Sequence, residues 1–487
     1  MGLKTDTSFL KFVSMGAIGV RQTIPQLHAL GFRPIVLERY CDSNKIWVTK
    51  LKRLRLPDLL CIRTGLRFEV RGKSDLQIRM SDAPNNPDRT WDAGLRDDDV
   101  VAFIAILQDG TNQRAADEAA FFTLRSLRES VAHSKLGAAK SASEGAERDR
   151  TWPAIIPSAD GIVREITGEK LKVELNKAGG GLRKQTYTLK GKSVYLREGD
   201  RFNGEVSFLA GMPNSMADLP AFLQRQYDPL PDLRAAAAVD RYAAVKALPR
   251  REDLRDRAVP ALQELLQREQ EERVALEAAG SLAALGSDLG QDRIGAILWG
   301  DGRNDFRMEA VLILTELRSP FARTELALVA GDDRFEQNEI RQAAVWGLGK
   351  AGLKAYDEIL PFIAHQDEDL AAHAIVSFGT DTPEQVIRAL AQALIEGEPR
   401  RAAAASEVLR LVGNETTLRV LIEAAVGGNE WVIATLGRLP AQAVRAAIAG
   451  TNLSLMVAPL LLLGEGSNWL ASEERVMDIA FLTKQNL

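Results

Sequence analysis

Three arginines, Arg273, Arg307 and Arg341, recur at an equal interval in segments that resemble one another. The segments read Glu272-Arg-Val-Ala-Leu-Glu-Ala-Ala-Gly-Ser-Leu-Ala-Ala-Leu-Gly, Asp305-Phe-Arg-Met-Glu-Ala-Val-Leu-Ile-Leu and Glu339-Ile-Arg-Gln-Ala-Ala-Val-Trp-Gly-Leu-Gly. Two further units, around Ala371 and Arg401, follow at slightly shorter intervals. Self-similarity of this kind constrains the fold more than any other feature. Each unit buries its apolar face only against its neighbours, so the array from about Asp232 onward is expected to be a helical solenoid. The repeat arginines are expected to pair with neighbouring acids such as Asp305 and Glu339, with a phosphate-binding stripe as the alternative. His365 and His373 are assigned to capping or packing.

Small residues in these units let helices stack closely, and residues 214–487 resemble HEAT-like repeats of the short prokaryotic kind. That resemblance implies a surface for a protein partner. Residues 153–213 differ in character, with short strands and glycine turns at Gly161-Ile-Val-Arg, Leu171-Lys-Val-Glu-Leu, Gln185-Thr-Tyr-Thr-Leu and Gly204-Glu-Val-Ser-Phe. A small all-β barrel or sandwich is expected. Its opening, Ile156-Pro-Ser-Ala-Asp-Gly-Ile-Val, resembles a barrel-sandwich hybrid domain. Residues 137–152 are small and polar and read as a linker.

Residues 1–136 predict an α/β domain. A helix is expected over 8–30, interrupted near Pro25 and ended by Gly31, with strands at Arg33–Tyr40 and Lys45–Thr49. Leu76–Met80 alternates, Asp82–Asp92 is loop, and Val100–Leu107 is a continuous apolar run typical of a central strand. Phe121, Leu124, Leu127 and Val131 at helical spacing predict an amphipathic helix over 113–136.

Within this domain, Leu59–Ile62 and Leu66–Val70 flank the turn-like Arg63-Thr64-Gly65 and predict a β-hairpin. Asp58 opens the first strand and Glu69 lies near the end of the second. Alternation puts Glu69, Arg71 and Lys73 on one face, with Phe68 and Val70 turned to the core. Two carboxylates joined across a hairpin, with cations beside them, suit a divalent metal and phosphodiester chemistry. Pro57-Asp58, the hairpin and Glu69-x-Arg71 resemble the motif of the PD-(D/E)xK nuclease superfamily, which includes Holliday-junction resolvases and many restriction enzymes. The resemblance covers residues 1–110. It implies a restriction-endonuclease-like fold, with Mg²⁺ or Mn²⁺ on Asp58, Glu69 and the Val70 carbonyl, and Glu38 as an accessory acid. The family's lysine is replaced by Arg71, which stabilises charge but cannot act as a base. Lys73 supplies an amine if Gly72 forms a bulge.

Lys45, Lys50, Lys52, Arg53 and Arg55 precede Asp58 without an intervening acid, and Trp47 lies among them to stack on a base or to pack. Trp91, in the polar loop, is assigned to the core. Residues 1–100 hold 17 Lys/Arg against 12 Asp/Glu, although the whole chain of 487 residues carries −4. That balance excludes indiscriminate coating of nucleic acid and allows a polyanion to dock at the N-terminal domain. Cys41 and Cys61 make no disulfide framework, and the sequence predicts no signal peptide and no membrane span. The chain is therefore expected to be a multidomain α and β protein of the cytoplasm, with homo-oligomerisation left open. Its expected function is metal-dependent DNA processing in prokaryotic genome repair or antiviral defence, as an Mg²⁺-dependent deoxyribonuclease. A non-catalytic DNA-binding adaptor and a protein-interaction scaffold are the alternatives.

Overall fold

The computed structural model describes residues 7–466, apart from 38–46, 48, 50–53, 110–111, 142–145, 301, 336–337, 351–352 and 354. The chain gathers into two compact units. The larger runs from the N-terminal helix to Gly290, and the smaller runs from Gln291 onward and takes in Trp47 and Thr49.

In the larger unit, helix α1 (Thr7–Ala29) passes through Pro25 without a break, contrary to the expected interruption. A proline removes one amide donor, and the helix absorbs that loss close to its end. Gly31, at φ 94°, then turns the chain in a left-handed conformation that favours glycine. The main sheet follows: β1 (Pro34–Val36), β2 (Leu59–Cys61) and β3 (Arg67–Lys73) pair antiparallel in sequence. After β4 (Ile78–Asp82), which belongs elsewhere, β5 (Val100–Asp109) lies parallel to β3. Strands β6 (Asn112–Ala115) and β7 (Ala120–Thr123) pair antiparallel with β5. Val100 to Ile106 are all buried, as a continuous apolar run flanked by strands requires.

Helix α1 covers the Phe68, Val70 and Gly72 side of β3. A Cβ on Gly72 would lie 2.6 Å from the Met15 carbonyl oxygen, so the glycine is there to admit the helix. Pairing between β3 and β5 runs from Phe68↔Val100 to Lys73↔Ala105 without a register shift, so the bulge at Gly72 on which a role for Lys73 was conditional is absent. Phe68 anchors this layer against Phe32 and Phe121 at ring distances of 5.7 and 6.4 Å.

The amphipathic helix expected over 113–136 is mostly not a helix. Its sequence divides into β6, β7, a short helix α2 (Leu124–Glu129) and a final strand β8 (Lys135–Leu136). The Thr123 hydroxyl accepts the Ser126 amide and starts α2 only there. Phe121 and Phe122 are both buried on a strand, whereas Leu124 and Leu127 are buried on the helix. The apparent helical period is a composite of the two. The expected linker over 137–152 also ends in structure: β9 (Arg148–Trp152) is the middle strand of a second sheet, β4-β9-β8. Trp152 seals that sheet to the core, with its indole N–H donating to the Leu127 carbonyl and its ring 5.0 Å from Trp91. Trp91 is thus a packing residue.

The β module contains two open sheets and, among the described residues, no closed barrel. One holds β10 (Ala154–Ile155), β14 (Ser193–Val194) and β16 (Ala210–Gly211). The other holds β11 (Gly161–Thr167), β12 (Lys170–Asn176), β13 (Leu182–Thr188) and β15 (Arg201–Phe202). Leu171, Val173 and Leu175 alternate inward along β12. Phe122 meets Tyr195 and Phe208 of the module at 5.4 and 6.0 Å, which joins it to the α/β layer.

A C-terminal run of helices follows. In the larger unit come α3 (Leu219–Phe222), α4 (Ala238–Ala247), α5 (Arg255–Arg268) and α6 (Glu272–Ala284), with bonds that bridge about one repeat tying α4 to α6 and α5 to the turn before α4. The Tyr242 hydroxyl donates to Glu277 at 2.8 Å, and Arg268 donates to the Leu233 carbonyl, both 35 residues apart. The run continues through α7 (Asp288–Trp299) into the smaller unit, with α8 (Asn304–Leu317), α9 (Pro320–Gly331), α10 (Asn338–Leu348), α11 (Tyr356–Ile359) and α12 (Glu368–Ile375). Helices α13 (Glu384–Glu396) to α18 (Leu453–Gly466) complete it. Here Arg323 pairs with Glu358, and the Asn414 amide donates to the Thr380 carbonyl, at separations of 35 and 34 residues. The sequence period therefore survives as a period of contacts.

Arg307 is not paired with Asp305, whereas Arg341 does pair with a neighbouring acid, Asp333. Arg307 donates to Asn304 and to the Gly300 carbonyl, while Asp305 pairs with Arg303. Arg341 donates to the Ala330 carbonyl and pairs with Asp333, and Arg273 lies over the Tyr242 ring. Arginines at this position therefore hold the helix to what precedes it. The packing role expected for the histidines agrees with the contacts: His365 Nδ1 accepts the Asp367 amide, and His373 is buried.

Candidate functional site

The candidate site is the charged face of β3 and the start of β2. The hairpin forms because Gly65, at φ 73°, closes the turn, while the Cys61 amide donates to the Leu66 carbonyl and the Gly65 amide to the Cys61 carbonyl. A Cβ on Gly65 would lie 2.8 Å from the Tyr227 ring, so this tight turn also has to be glycine. The ladder begins at Leu59↔Phe68, and Asp58 is the residue just before it, at a bend that leads into β2. One oxygen of Asp58 accepts the Val70 amide at 2.7 Å, and its carbonyl accepts the Leu37 amide. Asp58 is thereby held against the backbone beside Glu69.

Glu69 is buried and forms an ion pair with Arg71 at 2.6 Å. Arg71 is partly exposed, yet its Nε is buried without a hydrogen-bond partner. Lys73 is half-buried one further step along the same face. Because β3 is regular, its Cα lies about 13 Å from that of Glu69, with Arg71 between them. Burial pushes the Lys73 amine down to about 7, and Arg71 and Arg79 act in the same direction, with Asp149 opposing and Lys140 adding to them. The sheet β4-β9-β8 therefore brings Arg79, and the chain after it Lys140, into electrostatic range of Lys73. Neither stands out in the sequence, since both lie in segments that read as ordinary strand and linker.

Sequence reasoning also passes over Arg67. It shares the face of Glu69, is 2% exposed, and donates to Asp99 and to Asp240 of α4, the latter at 2.7 Å. Arg96 pairs with Asp240 at 2.5 Å, and its amide donates to Asp99 at 2.7 Å. Asp99 carries a signal, since it immediately precedes the central strand beside Arg67. Asp240 is 173 residues away from Arg67 and carries none.

Of the other expected residues, Glu38, Lys45, Lys50, Lys52 and Arg53 lie outside the described residues. Arg55 is described, and its Nε donates to the Asp88 carbonyl at 2.8 Å. Trp47 is 2% exposed in the smaller unit, stacked on His373 with centroids 5.4 Å apart and edge-on to Trp346 at 6.3 Å. The neighbouring Thr49 amide donates to Glu339 at 2.9 Å. Trp47 is a packing residue here.

The donors available to a divalent cation are hard oxygens on Asp58 and Glu69, and Mg²⁺ is commonly held by one or two carboxylates with water filling the remaining positions. The pair fits such an ion chemically, with Arg71 as a competitor for Glu69. Among the described residues, no group of three or more His, Cys, Asp and Glu side chains is arranged to hold a metal. No helix among them is long and apolar enough to cross a membrane. No protein-family model and no curated protein matches the chain.

Proposed function

We propose that the N-terminal α/β domain acts on the phosphodiester backbone of DNA as a PD-(D/E)xK-like, divalent-metal-dependent nuclease. The approach of Asp58 to β3 at the Val70 amide, next to Glu69, with Arg71 and Lys73 following Glu69 on the same face, carries this reading. Asp58 and Glu69, with the Val70 carbonyl, would hold Mg²⁺ or Mn²⁺. When bound, the ion would lower the pKa of a water and offset charge on the phosphate. The hydrogen bond from the Val70 amide fixes one Asp58 oxygen beside Glu69, which supports this reading. Arg71 offers a planar fork to a phosphate oxygen, and Lys73, with Arg79 and Lys140 nearby, draws the strand along the same face. The C-terminal helices, read as a HEAT-like array, supply a surface for a protein partner.

One observation favours a second, non-catalytic reading. The Glu69–Arg71 ion pair puts an arginine cation on the carboxylate that a metal would use, and an ion pair of this kind leaves a domain that holds DNA without cutting it. The two readings separate on incubation with supercoiled, linear and branched DNA in the presence of Mg²⁺ or Mn²⁺. Cleavage lost by at least about a hundredfold in Asp58→Ala and Glu69→Ala, with DNA binding retained, supports the nuclease. Binding with no cleavage by the native chain sinks it and leaves the adaptor. A chain that neither binds nor cuts DNA leaves only the protein-interaction scaffold.

A further inference from the structure

A second place in the larger unit gathers cations that the fold does not neutralise. Between the β2–β3 turn, the loop after α1 and the turns before α5 lies an open pocket of about 940 Å³. Its floor is bolted by Arg251, whose Nη1 donates to the carbonyls of Ile62 and Tyr227 at 3.1 and 2.5 Å. The rest of that guanidinium forks Asp253 at 2.8 and 2.7 Å, so the charge of Arg251 is neutralised within the wall. The Tyr227 amide donates to the Arg63 carbonyl, and the Ile62 amide to the Arg33 carbonyl. These bonds fix the backbone from which two rim arginines project.

The rim carries Arg33, Arg63 and Arg250, all exposed, and no carboxylate lies within ion-pair distance of any of them among the described residues. Arg63 makes one long hydrogen bond, to the Gly31 carbonyl at 3.4 Å, which leaves its charge unmatched. Of the lining acids, Asp253 is taken by Arg251 and Asp228 lies 3.7 Å from Arg257, which leaves Glu252 as the one opposing charge. Three arginines facing a shared volume repel one another and are stabilised by an anion between them. All the lining cations are arginine, whose planar forks match phosphate oxygens two at a time, as lysine does not. The volume falls in the upper part of the range for small-ligand sites, roughly 300–1,000 Å³, and admits a phosphate together with its sugar and base.

We infer that this pocket is a binding site for a phosphate ester of nucleotide size, held by Arg33, Arg63 and Arg250. It lies at the turn end of the hairpin, away from Asp58 and Glu69, and does not depend on the nuclease reading. The same chemistry comes from a free nucleotide or from the phosphorylated end of a nucleic-acid strand.

The full chain, in EDTA to remove any contribution from divalent metal, is titrated with ATP by calorimetry. In parallel, fluorescein-labelled single-stranded decanucleotides with a 5′-phosphate or a 5′-hydroxyl are followed by anisotropy. Binding of ATP identifies a nucleotide site, and preference for the 5′-phosphate over the 5′-hydroxyl identifies a strand end. In either case the triple variant Arg33→Gln/Arg63→Gln/Arg250→Gln is expected to weaken binding by at least about tenfold, while Lys184→Gln, on the exposed strand β13 of the β module, leaves it within about twofold. The substituted side chains are exposed, so the melting temperature of the triple variant should stay close to that of the native chain. The inference is overturned if no phosphate-bearing probe binds, or if the triple variant binds as the native chain does.

Discussion

The charged face of β3 and the helical run handle ionised side chains in opposite ways. Along the helices, cations meet acids or carbonyls about one repeat away: Arg323 forks Glu358, and Arg438 pairs with Glu407. On β3, four ionisable residues alternate along one face, and their surroundings turn from acidic to cationic along the strand. Arg67 meets Asp99 and Asp240, Glu69 pairs with Arg71, and Lys73 lies near Arg71, Arg79 and Lys140. Charges that only hold a fold together are matched where they stand. On the proposed nuclease reading, the unbalanced end of β3 is the part that a polyanion would complete.

The largest effect expected from breaking this contrast comes from Arg67→Ala. It leaves the buried Asp99 without its guanidinium partner, while Asp240 keeps Arg96, and should cost about 3–5 kcal/mol, read as a fall in the unfolding midpoint. A change below about 1 kcal/mol would mean that the buried network is not structural. Trp47→Ala comes next, at about 3 kcal/mol, because it empties a site enclosed by His373 and Trp346. A loss of DNA affinity at unchanged melting temperature would instead make Trp47 a base-stacking residue.

Lys73→Met tests the unbalanced end directly. The Lys73 amine titrates near 7 in the native chain against 10.5 in the unfolded one, so between these values the unfolded chain binds more protons and stability rises with pH. The penalty for charging the amine is fully present below pH 7 and is relieved as pH climbs through the window. Replacing it with methionine should therefore stabilise the protein at pH 6 by about 2 kcal/mol, below the ~5 kcal/mol of the whole shift because a half-buried amine can turn toward water. At pH 10.5 and above the two proteins should converge; an equal gap at pH 6 and pH 10.5 would remove the titration from the explanation. The smallest effect is expected for Arg323→Ala. Pairing with Arg323 lowers the Glu358 carboxyl below its ordinary range, so the stabilisation is present above that range and lost as pH falls through it. Both side chains are substantially exposed, and with solvent screening the contribution should be under about 1 kcal/mol and should fade in high salt.

Legibility followed the range of the interactions. The hairpin at 59–70 is readable because its alternation, its apolar runs and Gly65 all act locally. The helical run is readable because its small-residue and apolar patterning acts within each helix. The stretch 113–136 misleads because Phe121, Leu124, Leu127 and Val131 mimic a helix, while the pairing of Ala120–Thr123 is decided by β5, a separate strand earlier in the chain. Arg148–Trp152 reads as linker because its neighbours are small and polar, yet β4, from well before the central strand, recruits it into a sheet. The candidate site was legible in Asp58, Glu69, Arg71 and Lys73, and illegible in Arg79, Lys140 and Asp149, which reach it from the second sheet and its flank.

Local propensity and periodicity were enough to establish the helix-rich C-terminal run, the β2–β3 hairpin and the order of charges along β3. Tertiary structure alone decided which of those charges are satisfied. It gave Arg67 a buried acid, Asp99, and a partly buried one on a distant helix, Asp240, set Arg71 on Glu69, and brought Arg79 and Lys140 from beyond its own sheet toward Lys73. It also buried Trp47 among helices encoded far later in the chain. The reason is that a charge is stabilised or destabilised by whatever lies within a few ångströms, and spacing along a chain does not report distances between segments the fold brings together.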